Sequence, residues 1–295
     1  MEIIRLDGVG YTYGDGHQAL ADISFGINRG ERVAFLGPNG AGKSTLFQLL
    51  NGLLTATKGA VTVKGMAVRK ENLREIRTAV GMVFQDPDDQ LFSSTVRQEI
   101  AYGLRNMGVK GQALEDAAAW ALDVVGLRGY EDKTPHNLSG GEKKKVALAS
   151  VLAMKPEVLV LDEPTASLDP MGASRLIALL RAINRDFGIT LILATHDVDI
   201  VPLVAERVHL LSEGRIEMSG TAQEVFANRE VMRQHAMRLP RVAHLAELLI
   251  RDGLLTAADL PLTIGQAKRQ FEKQSVGGLK FSEAFPTKPK RVPDG

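Results

Sequence analysis

The sequence predicts an α/β fold, in which helices cover both faces of a parallel β-sheet and an antiparallel β part lies beside it. The first observation is that short continuous apolar runs, such as 158–162 and 190–195, alternate with helical patterns. Strands buried in a parallel sheet have this composition. The second is a glycine-rich turn between the apolar run 33–36 and a helix. The third is the alternating polarity of the N-terminal residues between turn signals, which is typical of strands.

The individual elements follow from the spacing of apolar residues. Strands are expected at 1–7, 33–36, 80–84, 158–162, 190–195 and 207–211, with a short hairpin-like stretch at 59–65. Helices are expected to begin at Thr45 and after Ser139, and to span about 95–127 and about 171–187. Thr95 is a candidate N-cap of the helix over 95–127. Two short helices are expected at 242–249 and 264–268.

A change of character along the chain suggests how it is divided. We expect a main domain over 1–228, which contains a helical subdomain at about 95–155, and a small C-terminal domain over 229–280. Residues 281–295 lack apolar periodicity, so we expect a mobile tail there.

Composition excludes several classes of function. The chain has 295 residues, enough for a sizeable core, and its formal net charge of +1 gives no electrostatic basis for binding nucleic acid. It has no cysteine, which excludes disulfides, thiol catalysis and cysteine-ligated metals, and which fits the cytoplasm. No apolar run approaches the roughly 20 residues that cross a bilayer. We therefore expect a soluble chain whose role at a membrane would come through a partner.

Residues 37–45 match the phosphate-binding pattern G-x-x-x-x-G-K-[ST] between a strand and a helix. Glycines let successive backbone N–H groups turn towards phosphates, and the helix N-terminus adds its dipole. Lys43 would reach the β- and γ-phosphates, and the Ser44 hydroxyl would ligate Mg²⁺. The alternative is a glycine-rich turn that matches by chance. The residues expected to contact ATP are Asn39, Gly40, Ala41, Gly42, Lys43, Ser44 and Thr45.

Two adjacent carboxylates, Asp162 and Glu163, end a buried strand. One carboxylate in this position can hold Mg²⁺, and the next can accept a proton from an attacking water. We assign Asp162 to the metal and Glu163 to the general base. Alone, the pair could equally mark an ordinary strand end before Pro164.

Ser139, Gly140 and Gly141 stand directly before a helical pattern. A hydroxyl, unhindered N–H groups and the positive end of a helix dipole together make an anion site. The alternative is a plain serine N-cap followed by flexible glycines.

Taken together, residues 37–45, 138–142 and 158–163 resemble the signature motifs of the ATP-binding-cassette (ABC) ATPases, and the resemblance covers about 1–225. It implies a P-loop NTPase cassette with a RecA-like parallel sheet core. It further implies an N-terminal antiparallel β subdomain, a helical signature subdomain and, in this chain, a small C-terminal appendage.

The same resemblance assigns roles to four further residues. It implies that Tyr13 stacks on adenine, as a flat aromatic surface allows, although Tyr11 is a rival. Gln85 would contact Mg²⁺ and the attacking water. Asp169 would belong to the loop that follows the two carboxylates, and His196 would be a switch residue near the γ-phosphate.

The resemblance also implies a head-to-tail dimer with a second copy of the chain or with a paralogous ATPase. In such a dimer, the segment Ser139–Gly141 of one chain would contact the γ-phosphate of ATP held by Lys43 of the other, so that ATP would close the pair. Two residues depart from the family pattern: Glu142 stands where Gln is more usual, and Lys145 where Arg is common. A carboxylate near phosphate is unfavourable unless it points away, and Lys lacks the planar fork of Arg, so we expect an effect on rate rather than on mechanism.

A narrower resemblance, in residues 84–96 and 134–137, is to the ATPases of energy-coupling-factor importers. The segments 239–242 and 260–263 are most similar to the cobalt/nickel type (CbiO-like). This implies a complex with a transmembrane coupling subunit and a substrate-binding membrane subunit, with the ATPase at the cytoplasmic face of the membrane. A helix of the coupling subunit would enter the groove around 85–92, where Asp86, Asp88 and Asp89 could meet an arginine.

Several alternatives stay open. The importer could carry a vitamin rather than cobalt or nickel. A non-transport ABC ATPase acting on nucleic acid or ribosomes is disfavoured, because residues 45–138 show no heptads and the chain has one cassette. A module that binds ATP without hydrolysing it is disfavoured by Glu163 and His196. The six histidines show no metal-ligand spacing, so we expect no site for the transported metal itself.

Overall fold

The structure is a computed structural model that describes residues 1–253, 255 and 260–273. Its strands are, in chain order, β1 (Glu2–Thr12), β2 (Gln18–Asn28), β3 (Arg32–Leu36), β4 (Lys58–Val63), β5 (Met66–Ala67), β6 (Val80–Val83), β7 (Val158–Asp162), β8 (Thr190–Thr195), β9 (Arg207–Ser212) and β10 (Arg215–Thr221). Its α-helices are α1 (Lys43–Leu50), α2 (Leu73–Ala79), α3 (Val96–Asn106), α4 (Gln112–Val124), α5 (Gly140–Leu152), α6 (Pro170–Phe187), α7 (Val201–Val204), α8 (Ala222–Ala227), α9 (Arg229–Gln234), α10 (Arg241–Arg251) and α11 (Ile264–Lys273).

The central sheet contains six strands in the order β10-β9-β3-β8-β7-β6. Neighbouring strands are parallel except β9 and β10, which are antiparallel. Every residue of β6, β7 and β8 is buried, so both faces of these strands are covered. The predicted parallel sheet is confirmed, and its order brings the carboxyl ends of β3, β8 and β7 side by side.

A second, antiparallel sheet has the order β2-β1-β4-β5. Its buried residues, including Ile4, Leu6 and Val61, share one hydrophobic core with Phe35 of β3 and Phe47 of α1. The predicted antiparallel part is therefore confirmed. Because the core includes both β3 and α1, it fixes the ends of the loop between them.

Helices α3, α4 and α5 contact one another within the region predicted as a helical subdomain. The helical stretch predicted at about 95–127 is two helices, because Gly108 (φ +86°) and Gly111 (φ +60°) adopt left-handed backbone conformations between α3 and α4. Thr95 is an N-cap as predicted, since its hydroxyl accepts a 3.2 Å hydrogen bond from the Gln98 N–H.

A histidine of the central sheet, His209, has its side chain buried in the core. His209 of β9 is 2% exposed, and its ring centroid lies 5.0 Å from that of Phe35 and 5.2 Å from that of Phe25. Its Nδ1 lies 2.6 Å from the Ser219 hydroxyl oxygen. Burial lowers the pKa of His209 to about 4, and the charge of Arg207 adds to this effect.

The chain divides into two units, Met1–Met237 and a second that begins at Arg238. The predicted domains 1–228 and 229–280 differ from these units by residues 229–237, which contain α9. Helices α10 and α11 confirm the two short helices predicted near the C-terminus. Residues 274–280 and the tail predicted over 281–295 lie outside the described residues. Within the part of the chain that the structure describes, no helix is long and apolar enough to cross a membrane.

Candidate active site

A cavity of about 380 Å³ lies at the carboxyl ends of β3 and β7. The structure brings together here the predicted phosphate loop, both carboxylates, the predicted adenine contact and the predicted glutamine. Two residues in the wall, His17 and Ala19, are not predicted by any motif, and only their closeness to Tyr13 in the chain points to them. The cavity is lined by residues 39–45 and by Tyr13, His17, Ala19, Gln85, Asp162 and Glu163.

The phosphate loop has the backbone that its glycines allow. Gly42, directly before α1, has φ +100°, and a Cβ added there would lie 2.6 Å from the Ala19 carbonyl oxygen, so only glycine fits. The first turn of α1 has no side-chain cap and no acidic residue. Its N–H groups therefore offer an anion site at the mouth of the loop.

Lys43 is held under this loop. Its side chain is 7% exposed, and Nζ donates hydrogen bonds to the carbonyl oxygens of Gly37 (2.7 Å) and Pro38 (3.0 Å). Burial lowers the pKa of Lys43, and the negative charges of Glu163 and Asp162 oppose that shift. The result is a fixed positive charge 3.9 Å from Glu163 Oε1.

Asp162 ends β7 and lies opposite the start of α1. It is 7% exposed, and the Ser44 hydroxyl donates a hydrogen bond to its carboxylate. Burial raises the pKa of Asp162, the neighbouring charge of Glu163 adds to this, and the Ser44 hydrogen bond and the charge of Lys43 oppose it. The structure thus pairs two of the three residues that the sequence predicts as Mg²⁺ ligands, and the third, Gln85, lines the same cavity.

Glu163 and His196 meet across neighbouring strands. His196 Nδ1 lies 2.8 Å from Glu163 Oε1, and because a carboxylate can only accept, this nitrogen carries the hydrogen. The Glu163 carboxylate is buried, whereas the His196 side chain is 56% exposed. The predicted base thus has an orienting donor and the charge of Lys43 near the same carboxylate oxygen, Oε1.

Tyr13, rather than its rival Tyr11, lines the cavity. Its hydroxyl lies 2.9 Å from Thr45 Oγ1, which ties the aromatic ring to the phosphate loop. The ring is stacked with His17 at a centroid distance of 6.3 Å and meets Tyr11 edge-on at 4.9 Å.

The remaining predicted contacts, Ser139, Gly140, Gly141 and Asp169, do not line this cavity. Ser139 is the N-cap of α5, and Asp169 is the N-cap of α6, where its Oδ1 accepts a 2.7 Å hydrogen bond from the Gly172 N–H. Both helix starts are exposed. Within one chain, therefore, the structure does not bring these residues to the phosphate loop.

Glu142 turns back onto its own helix start. Its Oε2 accepts hydrogen bonds from the Ser139 hydroxyl (2.6 Å) and the Ser139 N–H (2.9 Å), and its Oε1 accepts one from the Tyr130 hydroxyl (2.7 Å). The Ser139 hydroxyl and then Tyr130 lower the pKa of Glu142 to about 2. The unusual carboxylate is therefore satisfied inside the chain.

Comparison with known proteins decides the family. The ABC transporter family model matches residues 20–166. The chain is 57% identical to an ABC transporter ATP-binding protein of Clostridium acetobutylicum, over 95% of this chain and 100% of that protein. The chain belongs to the ABC transporter ATPases. This ABC ATPase is also 48% identical to the energy-coupling factor transporter ATP-binding protein EcfA of Methanococcus maripaludis, over 92% of this chain and 98% of the relative.

Solved structures agree with this assignment. The ABC ATPase is similar to cbiO1 of Clostridium perfringens, described as part of the ABC transporter complex cbiONQ, with a TM-score of 0.73 and 45% identity over 83% of this chain and 99% of that one. It is also similar to an ATP-binding cassette solved as a dimer in a post-hydrolysis state with ADP and Pi, with a TM-score of 0.68 and 28% identity over 75% and 99% of the two chains. The predicted cassette fold, the ATPase class and the energy-coupling-factor type are confirmed.

The residues of this ABC ATPase fit the ligands that its family implies. The uncapped N-terminus of α1 and the Lys43 ammonium suit a triphosphate. The Ser44 hydroxyl and the buried Asp162 carboxylate are hard oxygen donors, which Mg²⁺ prefers. Among the described residues, no group of three or more His, Asp or Glu side chains could hold a further metal ion.

Proposed function

We propose that this ABC ATPase hydrolyses ATP in the cavity between the phosphate loop and Glu163, and thereby energises an importer of cobalt or nickel ions. The observation that carries the catalytic part is the 2.8 Å hydrogen bond from His196 to Glu163, with Lys43 Nζ 3.9 Å from the same carboxylate. A base, a donor that orients it and a cation that neutralises phosphate charge are the groups that phosphoryl transfer to water requires.

The chain's own residues would divide the work as follows. Lys43 and the N–H groups of 39–45 bind and orient the β- and γ-phosphates, and Tyr13 lies against the adenine. Ser44, Asp162 and Gln85 would hold Mg²⁺, which when bound offsets charge on the phosphate oxygens. Glu163 accepts a proton from the attacking water, while His196 keeps its carboxylate in place.

The remaining contacts would come from a second chain. Ser139, Gly140, Gly141 and Asp169 lie at exposed helix starts away from the cavity, so we propose that they complete the site of a partner in a head-to-tail dimer. The partner is a second copy or a paralogous ATPase. The similar cassette solved as a dimer with ADP and Pi supports the pairing of two cassettes.

An exposed surface on α3 and the preceding loop suits a membrane partner. Phe92 is 63% exposed and Tyr102 51% exposed, and their rings meet edge-on at 4.8 Å. Asp88 is paired with Lys143 at 2.7 Å, whereas Asp89 makes no side-chain hydrogen bond or ion pair with the described residues. We therefore propose that Asp89 is the carboxylate that meets a basic side chain of the transmembrane coupling subunit, at the cytoplasmic face of the membrane.

The assignment of cobalt or nickel as cargo rests on similarity. It is supported by the likeness to cbiO1 and by the predicted resemblance of the C-terminal segments to that type. The cargo itself would be bound by a membrane subunit. A vitamin importer is the second candidate, because the energy-coupling-factor relatives named EcfA are about as similar and their name specifies no cargo.

ATP turnover by the purified protein tests the catalytic part. Glu163→Gln should abolish hydrolysis and leave ATP affinity intact, because the amide cannot accept the proton of the water. If the Glu163→Gln variant still hydrolysed ATP, Glu163 would not be the general base. Uptake into vesicles that contain the complete complex tests the cargo: ATP-dependent accumulation of Co²⁺ or Ni²⁺ is expected, and vitamin uptake without metal uptake would favour the second candidate.

Charge reversal tests the docking surface. Asp89→Lys should lower uptake by the complex while the ATPase rate of the isolated protein stays unchanged. Asp116→Lys, on the exposed face of α4, is the control. Equal uptake by the Asp89 variant and the control would exclude this contact.

A further inference from the structure

Lys144, on the first turns of α5, has its ammonium group buried between α5 and the loop after β7 that carries the predicted base. The residue is 8% exposed. Its Nζ donates hydrogen bonds to the carbonyl oxygens of Pro164 (3.1 Å) and Glu163 (3.4 Å). Taking a lysine out of water is costly unless its charge is compensated, so these contacts and the nearby carboxylates of Asp86 and Glu163 account for its position.

The backbone that Lys144 contacts is strained. Glu163 has φ +43°, a left-handed conformation that a residue with a side chain adopts only at a cost. Its N–H donates to the Ala194 carbonyl oxygen at 3.0 Å, which fixes the peptide on the side of β8. Lys144 contacts the same residue on the side of α5. The direction of the Glu163 carboxylate, and hence its bond to His196, depends on this backbone.

The helix that holds Lys144 also carries the segment proposed to meet the partner's nucleotide. Ser139 caps α5 five positions before Lys144, which is about 7 Å along the helix axis. Lys143 of the same helix binds Asp88, so α5 is also tied to the loop after Gln85. A displacement at the start of α5 would therefore reach both Glu163 and the loop after Gln85 in the same chain.

We propose that Lys144 is a positioning residue that holds the backbone of Glu163 in its conformation. Through α5, it makes this conformation depend on whether the Ser139–Gly141 segment of the same chain is bound to a nucleotide. In the proposed dimer, the Ser139–Gly141 segment of each chain engages the partner's nucleotide. Lys144 then makes hydrolysis at the chain's own site depend on occupancy of the other site. The inference rests on the proposed function, since it needs Glu163 as the base and a two-chain site.

The experiment measures the ATPase rate against ATP concentration for the full chain. Lys144→Met keeps the length and removes the donors. It should lower kcat on the order of 10-fold to 100-fold, the range expected when a reacting group is misplaced, with little change in ATP affinity and with the Hill coefficient falling towards 1. Lys144→Gln keeps N–H donors and should restore most of the rate. Lys110→Met, at an exposed loop lysine, is the control and should match the unchanged protein.

Three results would overturn the inference: an unchanged kcat in Lys144→Met, a loss of ATP affinity as large as the loss of kcat, or a glutamine variant as impaired as the methionine variant. If Lys144→Met does not fold, the glutamine variant and its Hill coefficient decide the matter. A failure of this inference can be distinguished from a failure of the proposed function. If Glu163→Gln is inactive while Lys144→Met is normal, only this inference is wrong, whereas an active Glu163→Gln overturns the proposed base.

Discussion

The Tyr130 hydroxyl donates a 2.7 Å hydrogen bond to Glu142 Oε1, and so joins the segment after α4 to the first turn of α5. The same carboxylate accepts hydrogen bonds from the N–H and hydroxyl of Ser139. The acidic residue at this position thus forms a capping box with Ser139 at the exposed start of α5. This contact accounts for how the family's glutamine can be replaced here.

Removing this contact should change the acidity of Glu142. Tyr130→Phe should raise the Glu142 pKa from about 2 towards its ordinary 4.5, because one donor to the carboxylate is lost. Since the folded state favours the carboxylate, the contact contributes stability above pH 4.5 that is lost as the pH falls through 2. An NMR titration of the Glu142 carboxyl carbon measures the shift. Tyr102→Phe is the control, and equal midpoints in both variants would contradict the prediction.

His209 should make the fold sensitive to mild acid. Its folded-state pKa of about 4 lies below the ordinary 6.5, so the unfolded chain takes up the proton first as the pH falls. Stability should be complete above pH 6.5, decline below it and level off below pH 4. The total loss is at most about 3.5 kcal/mol, at about 1.4 kcal/mol for each pKa unit.

Unfolding in urea, at about a dozen pH values between 7.5 and 4.5, measures this decline in the free energy of unfolding. His209→Leu should flatten the dependence, because the group that titrates is gone. His136→Leu, at an exposed histidine, should leave the slope unchanged. A His209 variant with the full slope would show that another group is responsible.

His196→Ala should separate catalysis from binding. The variant loses the 2.8 Å hydrogen bond that orients Glu163, and a kcat lower on the order of 100-fold is expected. ATP affinity should change little, because Lys43 and the phosphate loop stay intact. Steady-state hydrolysis and calorimetric ATP binding provide the two readouts. A loss of binding that matches the loss of kcat would assign His196 to holding the nucleotide instead.

Two glycines of the phosphate loop should respond differently to alanine. At Gly42 an added Cβ would lie 2.6 Å from the Ala19 carbonyl oxygen, whereas at Gly40 nothing lies within 4 Å. Both have positive φ, so each alanine carries a backbone cost of about 1–2 kcal/mol, but only Gly42→Ala also displaces backbone. We expect Gly42→Ala to weaken ATP binding more than tenfold relative to Gly40→Ala, which corresponds to about 1.4 kcal/mol. Similar affinities in calorimetry would contradict the prediction.

The elements that surround the site could be predicted because their signals are local. The strand Thr190–Thr195 is a run of apolar and β-branched residues whose limits agree with the sequence pattern, and Gly42 and Lys43 stand at fixed positions in a known loop. Strand β10 is half-exposed along its length, so its sequence lacks a clear apolar pattern. Helices α7, α8 and α9 are only a few residues long, which is too short for a helical periodicity to be recognised.

The contacts between segments could not be predicted, because they depend on strand order. Glu163 and His196 are separated by 33 positions and meet only because β7 and β8 are neighbours. Lys144 looks in the sequence like one of three surface lysines, and its burial follows from the packing of α5 beside the loop after β7. In the same way, the bond from Tyr130 to Glu142 depends on how the connection between α4 and α5 folds back.

The Tyr13 hydroxyl bond to Thr45 has a consequence for nucleotide choice. The ring proposed to face the base is hydrogen-bonded to the loop proposed to bind the phosphates, so the two proposed contacts are linked within one chain. What Tyr13 offers to a base is an aromatic face, and every nucleobase has a π-face. We therefore expect Tyr13 to select weakly for the identity of the base, and GTP should compete with ATP for the site.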